Sequence, residues 1–235
     1  MHSRRTASLK QFPFTCKLDS APIVLGESSP SPFNMARALR TGECPPNRAF
    51  DRYLPREFQA VSYLYWTPLV AALRAAEWLD ELDIRKVMDI GSGVGKFCVV
   101  AALAGNAHYV GIEQRARLVA AARGLARTFG VADRVEFIHG NFDEKFVPDA
   151  DAFYFYNSFG ENLFDPDECL DADVELSDAR YLADIAAAER MLRDARVGTY
   201  LLTYNGFGGE VPDGYSEVRV DRELPCMLCL WQKTT

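Results

Sequence analysis

The chain is short of positive charge. Its 26 Lys and Arg stand against 33 Asp and Glu, a formal net charge of -7. A protein that holds nucleic acid by neutralising phosphates needs a broadly basic face, and this balance argues against one. Histidine is also scarce: His2, His108 and His139 are the only three and lie far apart, so no Ser-His-Asp set or metal-ligand cluster forms around them. No run reaches the roughly 18 apolar residues of a membrane span. The stretch MHSRRTASLKQFPFTC is basic at Arg4, Arg5 and Lys10 but lacks an apolar core of signal-peptide length. Six cysteines are scattered through a chain too large to need disulfide staples, which points to reduced thiols. Cys226 and Cys229 have metal-ligand spacing, yet they fall in a strand-like run where residues three apart face opposite ways, and no second such pair exists. The expectation is a soluble, cytoplasmic protein with no metal, no membrane and no nucleic-acid partner.

What is present is material for a core. Apolar residues make up 49% of the 235, enough for one large domain. Prolines at 13, 22, 30, 32, 45 and 46 interrupt the first fifty residues, so residues 1–54 are expected to be a loop-rich extension with one short helix near 33–40. The extension should wrap the domain or cover a site. The domain itself is expected over 55–235.

From Pro55 to Leu82, Phe58, Val61, Tyr65, Leu69, Leu73, Ala76 and Leu79 recur at helical steps. Pro68 should restart that helix, with Thr67 as its cap. Strand-like runs follow at 86–90, 108–113, 134–139, 151–156, 198–204, 215–220 and 227–231, with helical stretches at 95–104, 115–128 and 177–193. Helices between strands imply right-handed crossovers. The fold class expected is therefore α/β: a three-layer, doubly wound, seven-stranded, mainly parallel sheet ending in an antiparallel hairpin.

The first strand runs into DIGSGVGKF, residues 89–97. A glycine-rich turn there presents backbone N–H groups and a helix start to a ligand, and the missing side chains allow close approach. Gly91, Gly93 and Gly95 are spaced G-x-G-x-G rather than the G-x-G-x-x-G of dinucleotide enzymes. Asp89 would oppose a pyrophosphate but suits an ammonium or sulfonium. The second strand ends in Glu113, where a carboxylate can accept both hydroxyls of a ribose. The third ends in HGNFDE, where Asn141 can bond an adenine edge and Phe142 can pack on its ring.

Together these features resemble the class I methyltransferases that use S-adenosylmethionine, over roughly residues 57–231. The resemblance implies that Asp89, Gly91, Ser92, Gly93 and Gly95 line the methionine side of the cofactor, Glu113 holds the ribose, Asn141 and Phe142 frame the adenine, and Gln114 also binds the cofactor. The fourth strand reads on into FYFYNSFGENLF, at the edge that faces the reacting carbon. Asn157-Ser158-Phe159-Gly160 looks like the Asn-Pro-Pro-Tyr/Phe motif of amino-methylating enzymes and is similar to the Asn-Asn-Phe segment of seven-strand lysine methyltransferases, with Ser158 in place of the proline. Asn157 is then the catalytic candidate, touching cofactor and acceptor, because an amide can accept N–H bonds and aim a lone pair. Its bland alternative is a strand-end turn residue.

Acceptor candidates are Phe159, Glu161 and Asn162 after that strand, and Phe207 in the glycine-rich TYNGFGGEVPDGY. Tyr65 and Trp66 are acceptor candidates as well: with Tyr63 nearby they either close over the cofactor or build an acceptor cage, or else form a core-facing aromatic stripe. Seven acids between Glu161 and Glu175 with no Lys or Arg read first as a solvated loop. The function expected is methylation of a nitrogen on a small molecule or protein of unknown identity. The alternatives are an oxygen-directed methyltransferase and a non-catalytic S-adenosylmethionine-binding protein.

Overall fold

The structure, a computed structural model, describes residues 30–142 and 149–235. Most of the expected extension, and the Asp143-Glu144 end of HGNFDE, lie outside the described residues.

Seven strands form one sheet: β1 (Lys86–Ile90), β2 (His108–Glu113), β3 (Val135–His139), β4 (Ala152–Tyr156), β5 (Tyr200–Tyr204), β6 (Tyr215–Asp221) and β7 (Leu228–Lys233). Their order is β3-β2-β1-β4-β5-β7-β6. The first five are parallel, and β7 runs antiparallel between β5 and β6. The order reverses at β1, so β1 and β4, neighbours in the sheet, leave a crevice between their carboxyl ends. The expected architecture is observed, with strand bounds within two residues of those read from the sequence.

The helices are α1 (Pro32–Arg40), α2 (Asn47–Asp51), α3 (Arg56–Ala60), α4 (Ser62–Tyr65), α5 (Leu69–Glu81), α6 (Lys96–Ala104), α7 (Ala116–Phe129) and α8 (Asp178–Asp194). Strand residues alternate between two cores, as the period of 2 requires. Val87, Tyr154 and Leu202 face the larger core beneath α1–α7. Met88, Ile90, Phe153, Phe155 and Leu201 face a smaller one beneath α8. α6 is buried on every side, because α1, α5 and α7 pack around it; this explains why its sequence KFCVVAALA carries no polar stripe.

The described part of the extension belongs to the same core, through Met35, Leu39, Phe50 and Leu54. It is pinned by Lys96 at the start of α6, whose ammonium donates to Asp51 (2.7 Å), Asn47 (3.2 Å) and Ser62 (3.3 Å). Thr67 does not cap α5. Pro68 occupies the cap position, the Asn47 side chain takes the free Leu69 N–H at 2.8 Å, and the Thr67 hydroxyl pairs with that of Tyr154 at 3.0 Å. A cap supplied across space leaves no local sequence mark. Cys44, Cys98, Cys169 and Cys229 are free thiols; Cys226 is disulfide-bonded, so the expectation of reduced thiols does not extend to it. No described helix is long and apolar enough to cross a membrane.

Candidate active site

The turn between β1 and α6 is built on three left-handed glycines, with φ of 75° at Gly91, 54° at Gly93 and 71° at Gly95. The Gly91 and Ser92 N–H groups donate to Ile112 O on β2 (3.0 and 2.9 Å), which ties the loop to the neighbouring strand. A Cβ at Gly93 would lie 2.5 Å from the Trp66 ring, and one at Gly95 would lie 2.4 Å from Phe137. Gly111 in β2 has a related duty: a Cβ there would sit 2.5 Å from Ser92 Oγ.

Glu113, at the end of β2, is buried and accepts the Gly93 N–H at 3.1 Å and the Arg115 N–H at 2.8 Å. Burial raises its pKa, opposed chiefly by the Arg115 N–H. Each oxygen uses one lone pair on the backbone and keeps another, so the carboxylate can still accept hydroxyls. Asp89 faces the α6 layer, where Cys98 Sγ donates to it at 3.3 Å. Burial pushes its carboxyl up to about 7; the Cys98 bond opposes this and the Glu113 charge adds to it.

A cleft opens at the carboxyl edge of β1, β2 and β4. Of the residues expected at the site, Gly91, Gly93, Glu113, Gln114, Phe142 and Asn157 line it, and so do Tyr65, Trp66, Phe159, Glu161 and Asn162. Asp89 and Ser92 lie behind it in a small recess that also borders Gly91, Trp66 and Tyr156. Two hydroxyls here, Ser92 Oγ and Ser158 Oγ, are buried without a hydrogen-bond partner. An unpaired buried hydroxyl is costly, and these two flank the glycine loop as a polar ligand would require.

Some expected residues fall elsewhere. Gly95 caps α6 beneath the loop. Asn141 is exposed and outside the cleft. Phe207 is buried against Phe155, with ring centroids 5.3 Å apart, so it packs in the smaller core instead of facing an acceptor. Asn162 lines the cleft, but its amide is committed: Nδ2 donates to Phe159 O at 3.0 Å and Oδ1 accepts the Ser177 N–H at 3.3 Å. The aromatic stripe divides. Trp66 is buried with Nε1 bonded to Phe58 O at 3.0 Å, Tyr65 donates to Glu168 O at 3.1 Å, and Tyr63 is exposed.

The acidic stretch is not a free loop. Arg115, almost fully buried, holds Glu161 through two bonds (2.9 and 3.0 Å) and Asp171 through a third (2.9 Å). Arg117 also bonds Asp171, and Glu161 accepts the Leu170 N–H at 2.7 Å. The bidentate geometry suits a guanidinium and a carboxylate. Glu161 therefore presents no spare charge to an acceptor. The sequence reading missed Arg115. It also missed Arg180 and Asp184, which line the cleft from α8 and bond each other at 3.0 and 2.9 Å. A signal existed for Arg115: an acidic run without Lys or Arg needs cations from elsewhere, and Arg115 and Arg117 stand just after Glu113.

Residues 83–196 match the model of a methyltransferase domain family. The match runs from just before β1 through α8 and includes the glycine loop, Glu113 and Asn157. With the sheet order β3-β2-β1-β4-β5-β7-β6, the matched residues have the fold of a Rossmann-like methyltransferase domain. No curated protein matches the chain. Among solved structures, cofactor-bound Rv0187 from MTB superposes with a TM-score of 0.51 at 17% identity, covering 89% of this chain and 92% of that one. The mitomycin 7-O-methyltransferase MmcR gives 0.51 at 16% identity, with coverages of 87% and 61%. An RNA methyltransferase from Salinibacter ruber, in complex with S-adenosyl-L-homocysteine, gives 0.47 at 23% identity, with coverages of 72% and 93%. At these identities the likeness is one of fold. The residues present fit S-adenosylmethionine: a glycine-rich loop, two unpartnered hydroxyls and a carboxylate with lone pairs to spare.

Proposed function

We propose that the protein is an S-adenosylmethionine-dependent methyltransferase that acts on a nitrogen of a small molecule or protein. The observation that carries the reading is Asn157, an uncharged amide in the cleft wall, held with φ of 49° at the end of β4. Among the described residues, each acidic side chain lining the cleft is already bonded: Glu113 to two backbone N–H groups, Glu161 to Arg115, and Asp184 to Arg180. An amine that arrives uncharged needs alignment more than it needs a base. Holding its lone pair in line with the transferred methyl supplies roughly 7–11 kcal/mol.

In this reading Gly91, Ser92 and Gly93, with Asp89 behind them, hold the amino-acid end of the cofactor. Glu113 and Gln114 take the ribose, and Phe142, with Asn141 beside it, frames the adenine. S-adenosylmethionine supplies an electrophilic methyl on a cationic sulfur. Asn157 accepts the N–H of the acceptor and aims its lone pair, while Phe159 and Tyr65 exclude water.

An oxygen acceptor is the second reading, favoured by the likeness in fold to MmcR. Incubation with methyl-labelled S-adenosylmethionine and cell extract, followed by identification of the methylated atom, tests both. Label on nitrogen supports the proposal, and label on oxygen replaces it with the second reading. Cofactor binding with no labelled product would leave a binding protein and refute both.

A further inference from the structure

The turn after β5 repeats the turn after β4. Tyr156-Asn157-Ser158-Phe159-Gly160 and Tyr204-Asn205-Gly206-Phe207-Gly208 differ at one position in five. They leave adjacent parallel strands in step, since Tyr156 is paired with Tyr204. The two phenol rings pack at 5.0 Å, and Phe159 and Phe207 both pack on Phe155, at 6.2 and 5.3 Å. The asparagines meet too: Asn205 Nδ2 donates to Asn157 Oδ1 at 3.2 Å.

Both asparagines are left-handed, with φ of 49° and 63°, and Asp83 is the one other described non-glycine residue with positive φ. Such a conformation costs on the order of 1–2 kcal/mol for most side chains, and Asn adopts it more readily than most. Two neighbouring strands thus end in the same strained turn and direct their amides at each other. Asn157 lines the cleft and Asn205 does not. The terminal torsion of an Asn side chain is broad, so a hydrogen bond is needed to settle which edge of the amide an acceptor meets. Asn205 can provide it because its own backbone is held, its N–H donating to Met227 O at 2.9 Å.

We propose that Asn205 is a positioning residue for methyl transfer, fixing the Asn157 amide in one orientation toward the acceptor; this rests on the reading of Asn157 as the acceptor-side residue. Asn205 takes one lone pair of Asn157 Oδ1 and leaves the other for the acceptor's N–H.

The test is a double-mutant cycle measured with the acceptor that the labelling experiment yields. Asn205→Gly removes the amide and keeps the left-handed backbone. It is expected to lower kcat roughly 10- to 100-fold, as small misplacements at a reacting centre do, with the Kd for S-adenosylmethionine within about twofold of wild type on the same grounds. In an Asn157→Gly background the same substitution should cost nothing further, because a residue that acts through Asn157 has nothing left to hold. Asn205→Asp fills the same space but can only accept, which turns the Asn157 amide around; it is expected to stay impaired. An equal loss in both backgrounds, or wild-type kcat in Asn205→Gly or Asn205→Asp, overturns the inference while leaving the transferase reading intact. Wild-type protein that binds cofactor but labels nothing overturns the transferase reading and this inference with it.

Discussion

Asp89→Asn should make the cofactor-free protein more stable at alkaline pH and change it little in acid. Asp89 is 3% exposed, and its carboxyl is pushed from the ordinary 3.8 up to about 7, by burial first, with the Cys98 bond opposing and the Glu113 charge adding. Below the unfolded value, both states hold the proton and the group contributes no penalty. Between 3.8 and about 7, the folded protein keeps a proton that the unfolded chain has released, so stability falls as pH rises, by about 1.4 kcal/mol per pH unit. Above that interval the whole penalty applies, on the order of 4 kcal/mol. An amide of the same shape carries no charge to bury and can turn its oxygen to the Cys98 thiol. Urea unfolding of wild type and Asp89→Asn at pH 4.5, 6 and 8 reads the difference directly. The variant's advantage should grow across the series. A pH-independent difference, or a variant less stable at pH 8, would refute the assignment of a strained buried carboxylate.

Gly93→Ala should cost about 2–4 kcal/mol in thermal unfolding, because a left-handed alanine is strained and its methyl collides with an indole anchored to Phe58 O. Arg115→Ala leaves Glu161 without its cation and Asp171 with Arg117 alone; a loss of about 3 kcal/mol and faster proteolysis between residues 161 and 175 are expected. Lys96→Ala strands Asp51 in a buried site and should destabilise by about 3–5 kcal/mol, whereas Lys96→Met combined with Asp51→Leu should recover most of that loss in the same urea titration.

The sheet was legible because its signals are local. KVMDI, HYVGIE and AFYFY are strand-like runs bounded by glycine or polar turns, and a helical period separates the early ones. The glycine loop was legible for a similar reason: all three glycines take left-handed φ, and a Cβ at Gly93 or Gly95 would strike Trp66 or Phe137. What stayed hidden depends on partners distant in sequence. Arg115 meets Glu161 and Asp171 only after the chain has crossed β3 and β4, and Asn47 caps α5 from 22 residues away. Phe207 reads as a loop aromatic free to meet an acceptor, but turn composition does not say which side of the sheet a side chain enters, and Phe155 claims it. The Asn157–Asn205 contact was written in the repeated Tyr-Asn-x-Phe-Gly, yet its meaning needed the register that sets β4 beside β5.

The central claim is that the crevice between β1, β2 and β4 holds S-adenosylmethionine through the glycine loop and Glu113. Isothermal titration of the purified protein with S-adenosylmethionine and S-adenosylhomocysteine tests it most directly, alongside Glu113→Ala. One saturable site in the wild type, weakened at least tenfold in the variant, is the predicted result, since a pair of charge-assisted hydrogen bonds is worth about 1.5–3 kcal/mol each. No heat of binding with either nucleoside, or equal affinity in both proteins, would contradict it.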